Sequence, residues 1–123
     1  MASNRASRMP AGVGLALDAA FVLVFAAVGR ASHEEGNVLA GVLGTAWPFL
    51  VGTAVAWAAV RLLSHRWPLD VGPGLSVVVG TVAVGMLLRA LTGQGTAWSF
   101  VLVATLVLAV LLLGWRLLAA RVR

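Results

Sequence analysis

The 123-residue sequence predicts an all-α fold, a polytopic transmembrane four-helix bundle, from three observations. Apolar residues make up 61% of the chain and charged residues only 11%, too few to cover the surface of a soluble domain this small. Four stretches nearly free of charge, residues 11–29, 38–60, 71–88 and 96–115, are 18 to 23 residues long. Each approaches the roughly 20 residues that a helix needs to cross about 30 Å of hydrocarbon. Finally, with the amino terminus inside, Arg5, Arg8, Arg61, Arg66, Arg116, Arg121 and Arg123 fall on the inner side, and only Arg30 and Arg89 on the outer. Such a bias over short loops places both termini in the cytoplasm, on a bacterial inner (plasma) membrane.

Residues 1–10, with Ser3, Asn4 and Ser7, read as a flexible cytoplasmic tail. The single transmembrane domain covers 11–118. Its first helix, about 11–30, is retained rather than cleaved as a signal, because 19 apolar residues exceed a signal core and Asp18 does not suit one. The outer loop, 30–37, reads RASHEEGN, and its Asn37 can cap a second helix over about 38–62. Pro48 lies within that helix and should kink it; the alternative is a span that begins near Trp47. The inner loop, 61–70, ends in Asp70, which with Pro73 gives a start signal for a third helix over about 71–90. Residues 91–95 close the second outer loop, and the fourth helix covers about 96–118. A short basic cytoplasmic tail, 119–123, follows. Trp47 and Trp98 fall near the outer interface and Trp67 and Trp115 near the inner one, with Trp57 about a turn deeper.

Two segments echo each other. Gly44-Thr45-Ala46-Trp47-Pro48-Phe49 and Gly95-Thr96-Ala97-Trp98-Ser99-Phe100 differ at one position of six, and Val60-Arg61-Leu62-Leu63 has a weaker counterpart in Trp115-Arg116-Leu117-Leu118. This pattern fits two helical hairpins related as a parallel repeat, whose matching segments have equivalent structural roles. Small residues four apart, Gly12, Ala16 and Ala20, then Ala40 and Gly44, then Gly52 and Ala56, offer ridges on which helices approach closely in lipid.

The formal net charge of +5 does not indicate nucleic acid, because the arginines sit at helix ends rather than in a dense patch. Cysteine is absent, which excludes disulfides and thiolate metal sites. No phosphate-binding loop, dinucleotide fingerprint, nucleophile elbow or metalloprotease pattern occurs, so no catalytic residue, cofactor or metal is assigned. Asp18 is the first candidate, since it stands about 10 Å along its helix. A carboxylate at that depth must be neutralised, hydrated through a cavity or paired, with Arg116 the natural partner by depth and Arg61 the second. On the outer side Arg30, His33 and Arg89 could converge on an anionic group; the simpler reading is snorkelling to headgroups, with Glu34 or Glu35 as partner.

Asp18 with Phe21 and Phe25, Gly29-Arg30 and His33, Pro48-Phe49, Gly85 with Arg89, Ser99-Phe100 and Trp115-Arg116 together resemble a family of small, largely actinobacterial membrane proteins of unknown function. The resemblance covers about residues 12–118. It implies a four-helix integral membrane protein with no assigned activity, cofactor or partner, and signposts at Asp18, Arg30, His33, Arg89 and Arg116. The sequence thus suggests a structural or accessory membrane protein, in contact with lipids and able to form a homodimer, whose helices are tied by Asp–Arg contacts. Its rivals are a minimal proton-coupled transporter or channel subunit, with Asp18 as coupling acid, and a lipid-binding or lipid-modifying protein.

Overall fold

A computed structural model describes residues 9–31 and 38–122. Four helices follow in order: α1 (Ala11–Ala31), α2 (Val38–Ser64), α3 (Val71–Leu91) and α4 (Trp98–Arg121). All four are long and apolar enough to cross a membrane. Consecutive helices pack on each other and α1 packs on α4, so the four backbones form a closed ring, and diagonal helices meet only through side chains such as Phe49 and Phe100.

The boundaries differ from expectation where local chemistry was underread. α4 begins at Trp98, with Ala97 as its N-cap, because the glycine-containing turn holds residues 95–97 outside the helix. It also runs to Arg121, past the expected start of the basic tail, since Leu117, Leu118, Ala119 and Ala120 contain nothing that stops a helix. α2 continues unbroken through the buried Pro48, so the span does not start at Trp47. The helix ends at Ser64, and His65 takes the left-handed conformation (φ 61°) of a C-terminal turn usually filled by glycine. Arg61 holds that turn by donating from Nη1 to the His65 carbonyl at 2.7 Å.

Polarity is arranged inside out relative to a soluble bundle. Within each span only 28% of residues are buried, and Leu15, Val24, Val55, Val79, Leu106 and Val110 are among the many large apolar side chains that face outward. Asp18, Thr53, Thr81 and Arg116 are buried instead. Hydrocarbon around the bundle explains both halves of this pattern: apolar side chains lose nothing by facing lipid, whereas polar ones must find protein partners.

Midway along the α2–α3 seam, the Thr53 hydroxyl donates to the Phe49 carbonyl at 2.9 Å, and Thr53 and Thr81 hydroxyls meet at 2.8 Å. Thr53 has one proton, so Thr81 is the donor between the two hydroxyls. Beside this pair the two helix backbones nearly touch. A Cβ on Gly52 would stand 2.7 Å from the Thr81 carbonyl oxygen, and one on Gly80 would stand 2.7 Å from the Ala56 Cβ. The Gly52 and Ala56 ridge therefore packs helices as expected. Gly12, Ala16, Ala20, Ala40 and Gly44 do not, because they lie on outward faces.

Gly52→Ala should therefore destabilise the bundle by about 1–3 kcal/mol, since a rigid backbone carbonyl would have to move. Gly44→Ala, with nothing within 4 Å of the added Cβ, should be neutral or stabilise by up to about 1 kcal/mol through helix propensity. Unfolding of both variants in mixed detergent and SDS micelles checks the contrast.

Candidate functional site

The polar centre is assembled from α1, α2, α4 and the α2–α3 loop, and α3 leaves room for it. α1 presents Asp18 two turns from its start, fully buried, and α4 presents Arg116, also fully buried. The two meet as a bidentate pair: Arg116 Nη1 donates to Asp18 Oδ1 at 2.8 Å and Nη2 to Oδ2 at 2.7 Å. Two indoles complete the carboxylate. Trp115 Nε1 donates to Oδ1 and Trp57 Nε1 to Oδ2, both at 2.8 Å. Each oxygen thus accepts two hydrogen bonds, the full lone-pair capacity of the group.

The guanidinium is equally occupied. Nε donates to the Pro68 carbonyl at 3.1 Å, Nη2 donates to the same oxygen at 2.8 Å, and Nη1 also donates to the Leu112 carbonyl at 2.9 Å. All five N–H groups of Arg116 therefore have an acceptor. Proline suits this position, because the residue offers its carbonyl and has no N–H of its own that would need a partner.

Room for this cluster comes from glycines. A Cβ on Gly14, one turn from Asp18, would collide with Leu69 and stand 3.2 Å from the Trp57 ring. On α3, a Cβ on Gly74 would stand 2.5 Å from Arg116 Cδ and 2.8 Å from its Nε. The inner loop closes the end of the bundle: Pro68 and Leu69 are buried, and Trp67 packs on Trp57 with ring centroids 5.9 Å apart. Arg61 lies 4.9 Å above the Trp67 ring. Arg61 is thus not the partner of Asp18; it is exposed and braces the loop, since its side chain is committed to His65 and Trp67.

Two tryptophans belong to the site in a way that their interfacial pattern does not reveal. Trp115 is buried rather than placed as an interfacial anchor, and its N–H serves Asp18. The available signal was its position next to Arg116, which puts both on the inward arc of α4 at the level of one acid. Trp57, four residues before Arg61, offered a similar clue through its depth.

At the opposite end Phe25, Phe49 and Phe100 form a triangle with centroids 5.4 to 6.1 Å apart. Gly85 makes the space, since a Cβ there would strike the Phe49 ring. Arg89 lies 4.4 Å above the Phe100 ring and folds over its own loop, donating from Nε to the Gly95 carbonyl at 2.8 Å and from Nη1 to Gln94 Oε1 at 3.0 Å. A cleft of about 580 Å³ reaches Arg89, Thr45 and Ser99. His33, Glu34 and Glu35 lie outside the described residues, as does the Arg30 side chain, although the Arg30 backbone is part of α1. Among the described residues no group of three or more His, Asp, Glu or Cys comes together as a metal site.

A family model described as Protein of unknown function (DUF3054) matches residues 15–119, nearly the range over which the signpost residues were read. No curated protein and no solved structure matches the chain.

Replacing either indole donor tests the carboxylate cage. Trp57→Phe and Trp115→Phe each leave one oxygen with a single donor and should cost about 1.5–3 kcal/mol, the worth of a hydrogen bond to a charged group. Trp47→Phe, at an outward position, should change stability by no more than about 0.5 kcal/mol. Detergent unfolding monitored by circular dichroism compares the three.

Proposed function

The chain belongs to the DUF3054 family, a family of unknown function, and we propose on the geometry above that it is a structural or accessory protein of a bacterial plasma membrane. Its central Asp18–Arg116 pair acts as a clamp. The observation that carries this reading is saturation: five guanidinium donors and both carboxylate oxygens are met entirely by protein. A coupling acid in a transporter has to exchange protons with water, which needs a route to the carboxylate and a free place on it. Here the polar neighbours of Asp18 are all donors directed at it, and neither Asp18 nor Arg116 lines the cleft at Arg89, the cleft at His65 or the outward groove of the α2–α3 seam.

A buried pair of this kind contributes more to uniqueness of packing than to net stability. Removing two charges from water costs several kcal/mol per ion, and the mutual attraction with added hydrogen bonds does little more than offset it. Breaking one side is different, because the remaining charge is then stranded in a medium with no water to solvate it. The bias of seven inner arginines against two outer ones supports cytoplasmic termini in this reading.

The clamp predicts that Asp18→Asn and Arg116→Gln each destabilise by about 3–5 kcal/mol and lower the yield of folded protein in detergent. Replacing both charges at once, Asp18→Leu with Arg116→Met, should restore much of that loss, and a double-mutant cycle measures the coupling. The rival reading, a proton-coupled transporter, predicts instead an Asp18→Asn protein that folds normally and loses proton-driven flux in proteoliposomes. That outcome would reject the clamp.

A further inference from the structure

On the outward side of the α2–α3 seam, below the close contact of Gly52 and Gly80, the helices leave a groove of about 800 Å³ that ends at the inner loop. Its walls are apolar, with Val55, Val60, Leu63, Leu75 and Val79 along its length. From Val55 to Ser64 it follows ten residues of α2, or about 13 Å of helix, close to the depth of one leaflet of a hydrocarbon core about 30 Å thick. At the loop end the lining turns polar, and Arg66 and Asp70 both face the groove. The same two residues also line a smaller cleft of about 330 Å³ that continues under the loop.

These opposite charges share a cleft without pairing. Among the described residues the Arg66 guanidinium makes no hydrogen bond or ion pair, and Asp70 Oδ1 is buried with no hydrogen-bond partner. The local sequence explains the idle carboxylate. Asp70 is the N-cap of α3 but makes no side-chain capping bond, and Pro73, three residues on, has no N–H to donate one. An aspartate placed to cap a helix is thereby left with a carboxylate that caps nothing, at the end of an apolar groove. Trp67, half-exposed beside it, is the kind of side chain that sits at headgroup depth.

We propose that this groove binds one phospholipid of the adjoining leaflet, phosphatidylethanolamine, with an acyl chain along the α2–α3 seam, its phosphate on Arg66 and its ammonium on Asp70. Cation and anion then match the two charges of the zwitterionic headgroup, and the apolar wall matches the chain in length. An ammonium brings N–H donors to the Asp70 carboxylate, which has no partner among the described residues; the quaternary ammonium of phosphatidylcholine brings none. The inference rests on the membrane-spanning reading of the helices and is independent of the clamp, whose four side chains are absent from the groove.

The test adds phosphatidylethanolamine, phosphatidylcholine or phosphatidylglycerol to the detergent-solubilised full chain and counts retained lipid by native mass spectrometry. The wild type should retain phosphatidylethanolamine about tenfold better than phosphatidylcholine, the worth of one charge-assisted hydrogen bond. Asp70→Ala should remove that preference and leave unfolding unchanged, because no capping bond is lost. Arg66→Gln should weaken retention of both lipids and leave their ratio intact. Equal retention of the two lipids by the wild type overturns the proposal, as does stronger retention of phosphatidylglycerol or an undiminished preference in Asp70→Ala. Protein that stays monodisperse without detergent would overturn the spanning reading itself, which separates that failure from failure of the groove.

Discussion

Arg116 stands where only protein can satisfy it, and much of that end of the bundle follows from that constraint. A guanidinium in hydrocarbon needs a counter-ion and acceptors for five N–H groups, and it obtains them from α1, from its own helix and from the loop between α2 and α3. Each supply fixes something else. Asp18 sets the rotation of α1 and requires two further donors, which places Trp57 and Trp115 inside rather than at the lipid surface. The Pro68 carbonyl draws the loop into the end of the bundle, so that the segment that satisfies the arginine also seals it. Gly14 and Gly74 are then needed to admit an indole and a guanidinium between helices that would otherwise be too close.

The opposite half solves a different problem. Among the described residues no buried charge pair organises its interior, and shape does the work: three phenylalanines from three helices meet, and Gly85 on the fourth receives one ring. Between the halves, Thr53 and Thr81 supply the one polar tie of the α2–α3 seam. Its position beside Gly52 and Gly80 is consistent, because hydroxyls on neighbouring helices reach 2.8 Å only where small residues let the backbones approach. The signpost residues of the sequence thus condense into two clusters. Asp18, Trp115 and Arg116 form one; Phe25, Phe49, Gly85, Arg89 and Phe100 form the other.

Fold class and helix order were legible because apolar length alone determines whether a segment can span lipid. The Asp18–Arg116 pair was legible for a related reason: depth along a span leaves a buried acid few possible partners. What the sequence concealed was rotation. Trp115 and Trp98 look alike as interfacial tryptophans, yet one turns inward to an acid and the other outward, a difference of helix face that uniformly apolar helices do not reveal. The same blindness applies to the small residues, since Gly12 and Gly52 both sit in ridges with a spacing of four and only the second meets another helix. The hexapeptide echo shows where symmetry holds. Phe49 and Phe100 occupy matching places in one cluster, with centroids 6.1 Å apart. Arg61 and Arg116, the weaker echo, do not match, because a single buried acid can satisfy only one of them.

That asymmetry bears on where chemistry can occur. A buried charge acts as a coupling group when a second arrangement of similar energy is within reach. For Arg116 such an arrangement would release as many as seven hydrogen bonds of the Asp18 and Arg116 cluster, and would lift Pro68 out of the bundle. Arg61, the other inner arginine of the echo, is exposed and braces the loop against Trp67, so it offers Asp18 no alternative partner without first unfastening the same loop. The interior of the Arg116 half is therefore built to hold one state. Side chains with unused polar capacity lie instead at the α2–α3 loop, where Arg66 and Asp70 line a groove on the outward side of the seam. Recognition by this protein accordingly belongs to its lipid-facing seam, and the buried pair supplies the fixed frame on which that seam depends.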